Sequence, residues 1–324
     1  MSDYDVIIVG AGHNGLTAGV ELQRAGKKVL ILEKTNWPGG QAATKELFKG
    51  YKHSVGAWAL LIFREEMIKY LELDKEGFEL MRPESSFTVF GDEDQAPFIG
   101  YTDPIDLANH LAEDHGIDAL DGFNGLGSYF SHFKTMFEKY VHEKPPALEE
   151  IIAMEPDDTA REALSKLSYG SAVEIIRQFF PDPDKHGCIQ GSLAASAIDG
   201  TDMGPYTKGT GASLGYHYTA GDTYDFKIPK GGIGNISLKL QKVFERYGGE
   251  VRFKSIVDEF IIENGAVVGV RMKGGEDIRA KAVVSTLDAN MTFSRLCPDA
   301  TLPTDFANAV DDIEYRNGYV QVHM

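Results

Sequence analysis

Gly10, Gly12 and Gly15 stand in the spacing G-x-G-x-x-G, directly after the apolar run Val6–Val9. A short continuous run of that kind suits a strand buried on both faces. Gly10 permits a tight turn, Gly12 lets the backbone approach a ligand, and Gly15 lets a helix pack close to the strand. The helix, running to about Ala25, would set Leu16, Val20 and Leu22 toward a sheet and stop at Gly26. Free N–H groups at its start, together with its dipole, suit a doubly negative pyrophosphate. A second strand, Val29–Leu32, leads to Glu33, near the ~20-residue spacing at which a carboxylate accepts ribose hydroxyls. The chemistry open to these residues is therefore the holding of a dinucleotide.

The residues just after Glu33 bear on which dinucleotide that is. No arginine stands there, and Lys34-Thr35 makes a poor case for a 2′-phosphate. Gly39 and Gly40, after Pro38, would bring a second stretch of backbone to the ligand where a side chain would clash. In isolation that pair reads as an ordinary turn. Joined to Glu33, it resembles the E-x5-G-G element of FAD-binding oxidoreductases, and the choice between NAD(P) and FAD leans on that likeness.

Further along the chain lie the elements that must position these groups. The stretch Phe48–Phe63 becomes apolar toward its end and reads either as core or as the lining of a substrate slot. His53 within it reads as a structural hydrogen-bonder, with acid–base work as the alternative. Arg64–Leu73 looks helical; Phe87–Phe90 and Pro97–Tyr101 are strand candidates joined by an acidic turn. From Asp103, which with Pro104 makes a capped helix start, to about Ala197 the pattern is helical. Phe130, Phe133, Met136, Phe137 and Tyr140 recur at helical spacing and read as core, with a ligand wall as the alternative. Gly200–Gly221, rich in Gly, Thr and Ser, reads as a polar loop, either a surface connection or the mouth of a pocket. Pro229–Gly234 then opens a helix to Tyr247, and Asn264-Gly265 between β-branched runs cues a hairpin. A returning strand, Ala282–Ser285, would complete a parallel sheet.

Composition bounds the rest. A chain of 324 residues with 43% hydrophobic and 25% charged content can bury a sizeable core, in about two domains. A net charge of −17 argues against nucleic acid and against broad docking on anionic membranes, while leaving local apolar contact with lipid open. Cys188 and Cys297 form no C-x-x-C, so neither a thiol–disulfide centre nor a cysteine zinc site is expected. The N-terminus enters the first strand at once and no apolar run reaches the ~18 residues of a membrane helix. Those features point to a cytoplasmic protein without a targeting or transmembrane segment.

With both blocks in view, the chain resembles the phytoene-desaturase and carotenoid-isomerase group of FAD oxidoreductases. The likeness is densest at Val9–Leu16, Glu33–Ala43, Gly191–Gly215 and Pro229–Ser285. It implies an α/β fold: a doubly wound, Rossmann-like FAD-binding domain (1–63 and 222–290) with an inserted, largely helical substrate domain (64–221 and 291–324). It implies that Gly10, Gly12, His13, Asn14 and Gly15 hold the pyrophosphate and that Glu33 takes the ribose, with Lys34 where many relatives carry arginine. Gly39, Gly40, Gln41 and Ala42 would run beside the ribityl chain and flavin. Val257 would meet the adenine, and Ser285-Thr286 would end a strand above the pyrophosphate. The implied activity is flavin-dependent desaturation or double-bond isomerisation of an apolar polyene or lipid. Amine oxidation is a second reading. Relatives finish with another glycine-rich flavin-contacting segment, which nothing after Ser285 supplies. A fragment, or a half-module completed by a second polypeptide, is therefore a third reading. No pattern singles out a catalytic residue; His53 and His217 are the acid–base candidates, and no metal site is indicated.

Overall fold

The computed structural model describes residues 3–60, 63–88, 96–140, 143–219, 227–297, 302–315 and 321–323. These fall into two compact units, residues 1–81 with 228–324, and residues 82–227. Residues 64–81 and 291–324, which the sequence grouped with the inserted domain, cluster instead with the first unit.

In the first unit β1 (Tyr4–Val9), α1 (His13–Arg24) and β2 (Val29–Leu32) succeed one another, then the hairpin β3 (Thr44–Phe48) and β4 (Tyr51–Ser54), the short α2 (Glu66–Tyr70) and β5 (Leu80–Met81). The expected helix over Arg64–Leu73 shortens to α2, because the chain turns to bury Leu71 and Leu73. The second unit opens with β6 (Ser85–Thr88) and β7 (Phe98–Tyr101), an antiparallel pair. Helices come next: α3 (Pro104–His110), a π-helical turn (Leu111–His115), α4 (Ile117–Tyr140), α5 (Leu148–Met154), α6 (Asp158–Tyr169), α7 (Ala172–Phe179), α8 (Pro183–Ile198) and α9 (Thr210–Thr219). The chain then re-enters the first unit through β8 (Ile228–Pro229), α10 (Gly234–Arg246), β9 (Glu250–Arg252), β10 (Val257–Glu263), β11 (Ala266–Met272), β12 (Asp277–Ser285), a second π-helical turn (Asn290–Arg295) and α11 (Thr304–Asp311).

Six strands form one sheet in the order β10-β11-β12-β1-β2-β9, parallel from β12 through β9. β1 lies in its middle, with Ile7 and Ile8 wholly buried. Strand periodicity sends Val6 and Ile8 to one face, where they join Leu16 and Val20 of α1 and Leu240, Val243 and Phe244 of α10. Ile7 and Val9 go to the other, where Phe260, Val270, Ile278 and Leu296 cover them. Both faces being covered explains the near-continuous apolar runs of β1 and β2. Asn264 and Gly265 turn the β10–β11 hairpin with φ of 52° and 78°, the positive pair that a type I′ turn demands.

The second unit is built on α4, whose Phe130 and Phe133 are buried among Leu164, Leu167, Ile175, Leu193 and Leu214. Phe130 stacks on Tyr218 of α9 at 5.2 Å. The aromatic stripe is thus core at those two positions. Of the stretch read as a polar loop, residues 200–209 are turns and bends as expected, but Thr210–Thr219 is the helix α9, a correction with a physical cause. Gly211 and Gly215 let it pack tightly: a Cβ on Gly211 would stand 2.8 Å from the Leu167 carbonyl oxygen. Among the described residues no helix is long and apolar enough to cross a membrane.

Candidate dinucleotide site

The site is assembled at the carboxyl ends of β1 and β2. Gly10 leaves β1 with φ of 106°. A Cβ there would stand 2.6 Å from Thr286 Oγ1, and one on Gly15 would stand 2.1 Å from the Gly10 carbonyl oxygen. Only glycine lets α1 begin this close to the strand it follows. Gly12 differs: nothing lies within 4 Å of where its Cβ would be. Among the described residues no side chain comes that close to it. Gly12 precedes α1 in an extended conformation and offers no side-chain cap, so the first N–H groups of the helix have no intrahelical acceptor. His13 and Asn14 sit on that first turn, both exposed, with their backbone leading the helix. Protein packed around the His13 ring pushes its pKa below the ordinary value, which favours a neutral imidazole there.

Glu33 follows β2 and is buried, 6% exposed. Its Oε2 accepts from the Ala11 N–H at 2.9 Å and its Oε1 from the Thr35 N–H at 2.9 Å. The Thr35 hydroxyl, with one proton to give, stands 3.0 Å from Oε1 and 2.7 Å from the Trp37 carbonyl oxygen. An ionised carboxylate has about four acceptor positions. Glu33 therefore ties down the glycine turn through Ala11 and still has capacity to accept from a ligand. Lys34 beside it is exposed.

The second glycine stretch lies directly against the first. The Gly39 N–H donates to the Ala11 carbonyl oxygen at 2.8 Å, and Gly39 pairs with Gly12 as a parallel bridge. Gly39 and Gly40 have φ of 117° and 56°. A Cβ on Gly40 would stand 3.7 Å from Gly12 Cα. Gly40 and Gln41 are exposed, whereas Ala42 is buried. On the opposite side, Thr286 is held by its N–H and its hydroxyl on the Val9 carbonyl oxygen, at 3.1 and 3.0 Å. Ser285 Oγ is 2.7 Å from Thr292 Oγ1. Val257 opens β10 just after Lys254 and Ser255, whose N–H groups donate to the carbonyl oxygens of Thr35 and Glu33. Every residue expected around the dinucleotide thus lies within the first unit.

The two histidines fare differently. His53, on β4, has a buried Nε2 without a partner among the described residues, and its ring lies 4.8 Å from that of His323. His217 belongs to α9 in the other unit, with Nε2 3.3 Å from the Asp199 carbonyl oxygen. Neither geometry assigns an acid–base role. Among the described residues no group of three His, Cys, Asp or Glu could hold a metal ion.

Three residues were not anticipated. Thr35 buttresses Glu33, and a hydroxyl two residues after the acid was a readable turn signal. Thr44 and Ser54 cap α10: the Gly234 N–H donates to Thr44 Oγ1 at 2.8 Å and the Ile233 N–H to Ser54 Oγ at 3.3 Å. Their partners are remote in sequence, so no local pattern announces them. The start of α10 is taken by protein hydroxyls, whereas that of α1 has no side-chain cap from Gly12.

The groups fit a dinucleotide: N–H donors at an uncapped helix start, open space at Gly12 and an accepting carboxylate at the end of β2. Residues 15–324 match the family described as flavin-containing amine oxidoreductase. The chain is 24% identical over 99% of its length to rat (Rattus norvegicus) pyridine nucleotide-disulfide oxidoreductase domain-containing protein 2, and 27% identical over 94% to the chloroplastic prolycopene isomerase of carrot, Daucus carota. It spans 60% and 49% of those relatives' own lengths. Among solved structures, a putrescine oxidase variant superposes over 95% of this chain and 63% of its own, with a TM-score of 0.60 at 17% identity. That likeness shows the fold alone. From the near-complete match along its length, the chain belongs to the flavin-containing amine oxidoreductase family.

Proposed function

We propose that this chain holds FAD and takes part in flavin-dependent chemistry on an apolar substrate, either C–C desaturation, which oxidises it, or redox-neutral double-bond isomerisation of a polyene or lipid. The observation that carries the reading is the joining of the two glycine stretches, Gly12 against Gly39, beside an uncapped α1 and the carboxylate of Glu33. In this reading the N–H groups after Gly12, with Asn14 and Gly15, take the pyrophosphate, and Glu33 accepts from the ribose. Gly39–Ala42 run along the flavin side, Val257 meets the adenine, and Thr286 secures the Gly10 turn. The bound flavin supplies the hydride or electron transfer; the protein orients it and excludes water.

The apolar substrate class is supported by the carrot relative, named an isomerase of prolycopene and similar over 94% of this chain. The family description favours a second reading, oxidation of amines. The comparisons lend no support to a second polypeptide. The test is spectroscopic: the purified chain, supplied with FAD, is titrated anaerobically with a polyene and with primary amines. Bleaching of the flavin by the polyene is the result expected for desaturation; a changed polyene spectrum without net bleaching is the result expected for isomerisation, which is redox-neutral. Bleaching only by amines selects the second reading, and failure to retain or quench FAD overturns both.

A further inference from the structure

Thr44 and Ser54 face each other across β3 and β4, with their hydroxyl oxygens 3.5 Å apart. Both accept from backbone N–H groups at the start of α10, those of Gly234 and Ile233. The approach depends on glycine: a Cβ on Gly232 would stand 2.5 Å from Thr44 Oγ1, and one on Gly234 would stand 2.3 Å from the Thr44 nitrogen. Backward from Thr44, the strip is tied at every second residue. Ala43 O accepts from the Val55 N–H at 3.0 Å, Gln41 O from the Ala57 N–H at 2.9 Å, and the Gly39 N–H donates to Ala11 O at 2.8 Å. Gly40 and Gln41 nevertheless stay exposed. The strip is held from one side and open on the other.

We propose that Thr44 and Ser54 are positioning residues of the dinucleotide site. They fasten the far end of strip 39–44 to α10, so that Gly40 and Gln41 present their backbone to the ligand in a single geometry. α10 in turn is anchored on the sheet by Leu240, Val243 and Phe244. The site is thereby referred to the core rather than to a free loop. This inference rests on the FAD reading above.

The test compares Thr44→Val, which removes the acceptor, with Thr44→Ser, which restores it. Two quantities are read in the full chain: amide exchange at Gly234 and residues 39–43 without ligand, and FAD affinity from quenching of flavin fluorescence. T44V should speed exchange and weaken FAD binding, each by about tenfold, the scale of one hydrogen bond. T44S should restore both. Unchanged exchange in T44V overturns the fastening even where FAD binds. Faster exchange with unchanged affinity overturns the positioning role. A wild-type chain that quenches no flavin overturns the FAD reading and this role with it, whatever the exchange shows. Should T44V not fold, Ser54→Ala, which removes only the longer bond, is read by the same FAD affinity and by exchange at Ile233 and residues 39–43.

Discussion

At the scale of single residues, the glycines of the first turn divide into those the fold needs and one it does not. Gly15 is structural, since any Cβ would meet the Gly10 carbonyl oxygen at 2.1 Å. Gly12 has φ of −69° and open space where a Cβ would go. Its lack of a side chain serves nothing within the chain. Gly12→Ala should therefore leave the urea midpoint almost unmoved, within about 0.5 kcal/mol, yet weaken FAD binding at least tenfold. Gly15→Ala should cost ~3 kcal/mol or more by overpacking. A Gly12→Ala chain that binds FAD normally would remove the pyrophosphate from this position. The motif made the three glycines and Glu33 legible in advance. What it could not convey was that Glu33 spends acceptor capacity on Ala11 and Thr35, because that depends on backbone direction rather than spacing.

Helix α10 shows at the element scale how the sheet carries the site. Its Phe244 is wholly buried between α1 and the sheet, and two glycines make room for the ring. A Cβ on Gly19 would stand 3.0 Å from the ring, and one on Gly249 only 2.2 Å from it. Phe244→Ala should destabilise the first unit by ~3–5 kcal/mol, the usual cost of emptying such a position. Because α10 also anchors Thr44 and Ser54, exchange at Gly234 should rise in the same variant; thermal unfolding and exchange mass spectrometry read both. Elements with a strong local signature were legible: β1, α1 and β2 from the glycine motif, and the β10–β11 turn from Asn264-Gly265. α9 was not. Its Gly211 and Gly215 look like loop residues in sequence, but they serve close packing against Leu167, Ile175 and Phe133, which only the tertiary fold creates. β3–β4 was missed for a related reason. Phe48 and Tyr51 at its tip are exposed, so the alternation that marks a half-buried strand is absent.

For the molecule as a whole, a buried imidazole in one unit and a paired carboxylate in the other should answer acid at different pH. In the helical unit His115 is buried, its ring 5.0 Å from His110 and edge-on to it, with Phe98 beyond. Burial first, and then the neighbouring His110, hold its pKa below the ordinary 6.5; His186 acts in the same sense, while Asp114 and the Pro97 carbonyl oppose it. The unfolded chain takes that proton near 6.5 and the folded one only at lower pH. The contribution to stability is thus complete above 6.5 and is lost as pH falls below it. In the first unit Glu72 has the opposite chemistry and a lower window. The Tyr247 hydroxyl, then Arg246 and Lys75, draw its carboxyl from 4.5 down to about 2, so its contribution persists above 4.5 and disappears as pH falls through about 2. Between pH 7.5 and 5.5 the helical unit should weaken through His115 while Glu72 leaves the first unit unmoved; there only the His13 ring at the start of α1, its pKa also lowered by desolvation, acts in the same window. Exchange mass spectrometry, corrected for intrinsic rates, should show protection falling in α6 and α7 while α2 and α10 hold, and His115→Asn should flatten the fall. An unchanged slope in the variant would show that the buried imidazole does not set the acid response of the helical unit.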